Sequence, residues 1–284
     1  MSDRTHTLSR RGFLGQAAAG AAAVAAGRPV LAAQTEGEAI PVGIQLWSVR
    51  GECKKDFAKT IEALGEMGYD GVEFAGTYGW KAADLKKLLD DSGLRCCGTH
   101  TGLGSLTGGN LKKTIAYNQA SANPYLIVPG MPGQYRKKGK DGWVEAAKVF
   151  SQVASTLKPR GMHCGYHNHT HEFKPLDGTT PWDAFFGAAS EDVIMQLDIG
   201  HCKNGGADPA AVIRKYPGRA VTVHVRESGG DGVVGAGAVD WKAVFGACST
   251  VGGTEWYIVE FGGSKHGVFE CARRSLANVR RMTT

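Results

Sequence analysis

The residues able to do chemistry crowd the second half of the chain. In order they are His167-Asn168-His169-Thr170-His171-Glu172, Asp198-Ile199-Gly200-His201, His224-Val225-Arg226 and Glu260. Glu73 and His100 stand earlier. Of the nine histidines, six (100, 167, 169, 171, 201 and 224) lie in or beside the ends of short apolar runs, where a random surface scatter would not put them. Imidazole and carboxylate without a cysteine set suit one divalent ion of the Mn, Co, Zn or Mg type. Asp198, His224 and Glu260 each break an apolar run, such as Ile194-Met195-Gln196-Leu197 or Ile258-Val259. A single such residue reads as a buried, hydrogen-bonded polar group. Three at the ends of successive strands read as ligands.

From residue 41 onwards, short apolar runs alternate with segments of helical period. Strands are expected at 41–49, 71–74, 94–99, 125–128, 163–169, 193–199, 220–225 and 256–261. Asp56, Asp208-Pro209 and Asp240-Trp241 supply helix starts between them. Eight strand–helix pairs without a hairpin signal imply parallel strands. Eight such units in about 250 residues imply an α/β fold, a single-domain (β/α)8 TIM barrel. A doubly wound open sheet would need a glycine-rich nucleotide fingerprint after its first strand. Arg50-Gly51-Glu52-Cys53-Lys54 stands there instead. Active sites of such barrels gather at the C-terminal ends of the strands, where the histidines and carboxylates fall.

Residues 1–33 read as a leader, with the barrel at 34–284. Ser9-Arg10-Arg11-Gly12-Phe13-Leu14 precedes an Ala-rich stretch, and Leu31-Ala32-Ala33 offers small residues for cleavage. This resembles a twin-arginine export signal. It predicts a periplasmic or otherwise exported protein that uses the twin-arginine export machinery. The stretch is mild and is broken by Arg28-Pro29, short of the ~20 strongly apolar residues of a spanning helix, so no stable membrane anchor is expected. The 33 Lys+Arg against 27 Asp+Glu give +6, and Arg4, Arg10, Arg11 and Arg28 against Asp3 put half of that in the leader. Like charges come in pairs such as Lys137-Lys138, so no nucleic-acid partner is expected. Seven cysteines without a C-x-x-C argue against a disulfide framework or zinc ribbon.

Five motifs then carry a family resemblance. They are Gly165-Tyr166-His167-Asn168-His169 with Glu172-Phe173, Leu197-Asp198-Ile199-Gly200-His201, Val223-His224-Val225-Arg226, Gly235-Ala236-Gly237-Ala238-Val239-Asp240-Trp241 and Val259-Glu260. In this order, over residues 41–282, the chain resembles the xylose-isomerase-like barrel family of sugar (phosphate) isomerases and epimerases. The resemblance implies one divalent ion on four strand-end residues, in many members Glu, Asp, His and Glu. Asp198, His224 and Glu260 match the last three. His167 stands where many relatives carry the first glutamate and is assigned to the metal, with Glu172 as the substitute ligand.

His169 and Glu172 are the expected general bases. Strand alternation places His167 and His169 on one face. Glu73, His100, His201, Arg226 and Trp47 are expected to bind a small carbohydrate. His163 and His171 are expected to be structural. The implied chemistry is proton abstraction next to a carbonyl through a metal-stabilised enediolate, on a free or keto sugar. Return of the proton to the same carbon makes an epimerase, and return to the neighbouring carbon an isomerase. Loss of a β-substituent makes a lyase or dehydratase acting on a keto-glycoside or keto-inositol. A non-catalytic carbohydrate-binding barrel is the other reading. The DNA-repair endonucleases of the same superfamily need a basic groove that this charge balance does not supply. Self-association is frequent in the family, which extends to this chain the expectation of a homo-oligomer.

Overall fold

The computed structural model describes residues 39–284, so the expected leader at 1–33 lies outside the described residues. Eight strands appear: β1 (Val42–Gln45), β2 (Gly71–Phe74), β3 (Arg95–His100), β4 (Tyr125–Val128), β5 (His163–His167), β6 (Val193–Asp198), β7 (Thr222–Val225) and β8 (Trp256–Val259). Each pairs in parallel with the next, and β8 closes on β1. The result is a (β/α)8 barrel with helices around it. Among the described residues no helix is long and apolar enough to cross a membrane.

The helices start where short polar side chains can accept the first free amides. Asp56 caps Phe57–Glu66 through the Lys59 amide at 3.1 Å. Thr180 with Pro181, Asp208 with Pro209, and Asp240 cap later helices in the same way. Phe57, Thr60, Ile61 and Leu64 form one buried face of the first long helix, at the three- and four-residue spacing of a helix stripe.

Inside the barrel, glycines make room for large neighbours. A Cβ on Gly43 would lie 2.6 Å from Cys97 Sγ, one on Gly71 2.9 Å from the Trp256 ring, and one on Gly165 2.7 Å from Ile194. Cys97, Tyr125, Ile127, Ile194, Val221, Trp256 and Ile258 therefore close the N-terminal half as an apolar plug. Two residues further along the strands, on the same inward face, the side chains turn polar: Gln45, Glu73, His167 and Gln196, all buried. The polar floor thus rests on a dry base.

Four strands end earlier than the sequence suggests, β6 by a single residue at Asp198. β1 stops at Gln45 because its side chain accepts the Trp47 amide at 3.1 Å and turns the chain into a 3-10 helix, Leu46–Val49. β5 stops at His167, so His169 lies beyond the strand and begins the 3-10 helix Thr170–Phe173. β8 stops at Val259, one residue before Glu260. All seven cysteines are buried, with free thiols.

Candidate active site

Four side chains converge at the C-terminal mouth from β5, β6, β7 and the end of β8. His167, Asp198, His224 and Glu260 each offer one nitrogen or oxygen, and these atoms all lie within 4.8 Å of one another. All four residues are buried. The backbone does the positioning. Asp198 and His224 are register partners on β6 and β7, and Val225 pairs with Val259 immediately before Glu260.

The electrostatics of this cluster are tightly balanced. Arg226 Nε donates to Asp198 Oδ2 at 2.8 Å, and one of its terminal nitrogens donates to Glu260 Oε1 at 2.9 Å. The other Asp198 oxygen accepts the His201 amide at 2.7 Å and so caps helix Ile199–Gly205. His224 is held at both ring nitrogens: Nδ1 lies 2.5 Å from Glu260 Oε2 and Nε2 lies 2.6 Å from Glu73 Oε2. Burial alone would lower its pKa, but the two carboxylates overcome that and push it up to about 10. Burial would raise the Glu260 pKa, yet His224 and Arg226 hold it well below the usual range.

His167 is the contrasting case. Burial, aided by the His224 and His100 charges, depresses it well below the ordinary histidine value, so it is neutral. Its Nδ1 is buried without a hydrogen-bond partner. A buried polar atom of this kind calls for a ligand. A neutral imidazole nitrogen beside two carboxylates and a second imidazole, His224, that gives up a ring proton on coordination is a donor set for a divalent ion, so these residues fit one. His100 joins His167 and His224 in a second, three-imidazole grouping.

The remaining expected residues take distinct places. His169 is half-buried, with its ring 5.1 Å from that of His167 and 5.0 Å from that of His201. It thus reaches the pocket from beyond β5, not along the strand face. Burial lowers its pKa below the ordinary value, despite the opposing pull of Glu172, so the imidazole is a free base at neutral pH. His201 is also half-buried and is tied to Thr170 Oγ1 at 3.1 Å.

Glu172 is fully buried and both of its oxygens are engaged. One accepts Tyr166 Oη at 2.6 Å and faces His171 Nε2 at 3.1 Å, while the other accepts the His169 amide at 2.8 Å. It stands outside the four-residue cluster and holds the turn that presents His169. Glu73, assigned from sequence to the substrate, has no accessible surface. It sits beneath His224 and accepts Gln45 and Gln196 amides, each at 2.6 Å. His100 Nε2 meets Gln196 Oε1 at 2.7 Å, and its ring stacks on that of His224. Trp47 is half exposed on the rim, with the Arg50 guanidinium over its ring.

Sequence reasoning placed Glu227 at the end of strand seven but gave no role to it, to Gln45 or to Gln196. The two glutamines stand two residues before a turn or a ligand on their own strands, and that period-two offset was a usable signal. Glu227 is buried and accepts the amides of Ser228, Gly235 and Val239 and the Trp241 indole N–H. The loop Gly235 to Trp241 is therefore wrapped around one carboxylate. His163 stacks on Tyr125 at the N-terminal end of β5, and His171 is half exposed outside the barrel.

Residues 61–280 match the model of the xylose isomerase-like TIM barrel family. The chain belongs to that family. An inosose dehydratase of Serratia proteamaculans is 21% identical to this xylose isomerase-like chain, across 72% of it and 82% of the relative. An L-ribulose 3-epimerase of Mesorhizobium japonicum is 29% identical across 45% of this chain and 43% of its own. A sugar phosphate isomerase/epimerase from Parabacteroides distasonis has a solved structure with the same barrel, at TM-score 0.73 and 24% identity, covering 90% of this chain and 100% of that one. These homologues in the xylose isomerase-like family are enzymes.

Proposed function

We propose that this protein is a divalent-metal-dependent isomerase or epimerase of a free or keto sugar, taking a proton from the carbon beside the carbonyl. The observation that carries this reading is the convergence of His167, Asp198, His224 and Glu260 with His167 Nδ1 buried and unpartnered. A divalent ion (Mn, Co, Zn or Mg) held by these four residues would polarise the sugar carbonyl and stabilise the charge developing on its oxygen. His169, neutral and half-buried beside the cluster, takes the proton. Glu172 fixes the His169 turn through the His169 amide. Arg226 keeps Asp198 and Glu260 ionised and aimed. His201, His100 and Trp47 surround the place where sugar hydroxyls would sit. The twin-arginine leader supports export to the periplasm, and the partner is a small carbohydrate, not a nucleic acid.

A second reading is favoured by the long alignment with an inosose dehydratase, across 72% of this chain. The same proton abstraction followed by loss of a β-hydroxyl gives a lyase or dehydratase. Both readings share the first step, so one experiment tests it. The purified protein is assayed for bound metal by elemental analysis, beside Asp198→Ala and His224→Ala, and for solvent deuterium uptake into keto sugars. About one equivalent of metal, lost in both variants, with deuterium at the carbon next to the carbonyl, is the expected result. No metal bound from any of the four ions would sink the mechanism and leave a carbohydrate-binding barrel. Deuterium uptake accompanied by loss of water would move the assignment to the dehydratase.

A further inference from the structure

The carboxylates of the barrel mouth have little left to give a cation. Asp198 Oδ1 accepts the His201 amide at 2.7 Å, and Oδ2 accepts Arg226 Nε at 2.8 Å. Glu260 Oε1 accepts a terminal Arg226 nitrogen at 2.9 Å, and Oε2 faces His224 Nδ1 at 2.5 Å. Arg226 thus already neutralises one of these two negative charges. Among the described residues the other buried carboxylates are Glu73, Glu172 and Glu227. Glu73 accepts the Gln45 and Gln196 amides and lies on Nε2 of His224. Glu172 is engaged by Tyr166 and the His169 amide, and Glu227 by the N–H groups of its own loop. None of these three joins a grouping that could hold a metal.

The nitrogens stand differently. Two groupings bring donor atoms close enough to share an ion: His167 with Asp198, His224 and Glu260, and His100 with His167 and His224. Both contain His167 and His224, so an ion in either one meets at least two imidazoles. His167 Nδ1 is buried and has no hydrogen-bond partner. The ring is also fixed by its neighbours, with the His224, His100 and His169 rings centred 4.6, 4.9 and 5.1 Å from its own. A ring packed this way does not swing aside to let water take its place on a cation.

Ions differ in what they ask of such a site. Magnesium wants an octahedron of oxygens and gives up water reluctantly, and manganese also suits carboxylate, carbonyl and water. Zinc accepts imidazole and carboxylate together, at four-coordinate sites. Resting on the metal-dependent reading of this site, we propose that His167 is the residue that selects the ion, making this a zinc site in preference to a magnesium or manganese site. His167 does so by placing a neutral nitrogen where a carboxylate would have supplied a third oxygen ligand and a further negative charge.

The test measures metal affinity, without turnover, in the wild type and in His167→Glu. Purified protein is dialysed against a chelator and titrated with the chlorides of zinc, cobalt, manganese and magnesium. Chelator competition reads the tight ions and calorimetry the weak ones, and a circular-dichroism melt checks the fold of the variant. The expected result is that zinc binds most tightly to the wild type and that its advantage over magnesium shrinks by about tenfold or more in His167→Glu. The cobalt form of the wild type gives a readout that stands even if the variant does not fold. Its NMR spectrum should show hyperfine-shifted ring protons from at least two histidines. An unchanged zinc-to-magnesium ratio in His167→Glu, magnesium or manganese bound as tightly as zinc by the wild type, or shifted signals from one histidine alone would overturn the role of His167 and leave a metal site in place. Binding of none of the four ions would overturn the metal-dependent reading and this proposal with it.

Discussion

Glu73 and His224 stand 151 positions apart in the chain, yet Glu73 Oε2 lies 2.6 Å from His224 Nε2 inside the barrel. The contact occupies the ring nitrogen that points away from the four-residue cluster. Nδ1 is thereby turned toward Glu260 and the cluster. A carboxylate on the far nitrogen of a ligating histidine fixes the ring and raises its basicity, which is the usual partner of a metal-binding imidazole.

Glu73→Gln should therefore weaken metal binding by about 10- to 100-fold while the barrel still folds. The replacement keeps the shape and leaves Gln45 and Gln196 as neighbours. Competition titration against a chelator reads the affinity. An unchanged affinity would show that His224 needs no support from β2.

Gly98 is the backbone counterpart of Glu73. The β2–β3 register slips by one residue between Val72 and Glu73, and Gly98 adopts φ +152° opposite the carboxylate. A Cβ on Gly98 would lie 2.6 Å from Glu73 Oε1. Gly98→Ala should cost about 1–3 kcal/mol of stability. For a domain of this size that lowers Tm by roughly 2–4 °C per kcal/mol. The variant should also lose part of the metal affinity, because the displaced group is Glu73. A melt and a titration that both match the wild type would refute the packing account.

His169 and Glu172 should separate in a kinetic comparison. His169→Asn removes the proposed base and should lower kcat for deuterium uptake by about 10²- to 10⁴-fold, with metal content unchanged. Glu172→Gln can still accept the His169 amide and should lose much less. If the two variants fall equally, the base belongs to Glu172 or to both.

A pH effect on stability should arise at the closed end of the barrel. Burial depresses the His163 pKa below its ordinary value of 6.5, outweighing the opposing pull of Glu255 and Asp192. The unfolded chain then binds more protons than the folded one between 6.5 and the depressed folded value. Stability is full above the unfolded pKa and falls as pH drops through that window. Denaturant midpoints measured from pH 7.5 to 5 should fall in the wild type and fall less steeply in His163→Gln. Parallel curves would place the acid sensitivity elsewhere.

Much of this molecule is determined by local sequence. Eight apolar runs alternating with helical stripes allow little besides a parallel barrel, since parallel strands need crossovers and helices must cover them. The level of the site was equally legible. Asp198, His224 and Glu260 end successive apolar strands, and strand ends are where a barrel mouth must be. These are consequences of period and composition, which a chain carries without its partners.

What tertiary structure alone decided is which groups share a proton or a pocket. Glu73 read as a rim residue because the second strand ends near it, but depth in the barrel depends on the tilt and register of neighbouring strands. The slip opposite Gly98 carries no one-dimensional mark. Glu172 read as a base because it lies close to where the resemblance places a second active-site glutamate, yet Tyr166 and the His169 amide engage both of its oxygens just beyond the end of β5. The loops that follow β7 and β8 meet where Asp231 contacts Lys265 and His266 across 34 and 35 residues of chain. Pairings between distant segments are set by three-dimensional packing, and no local pattern records them.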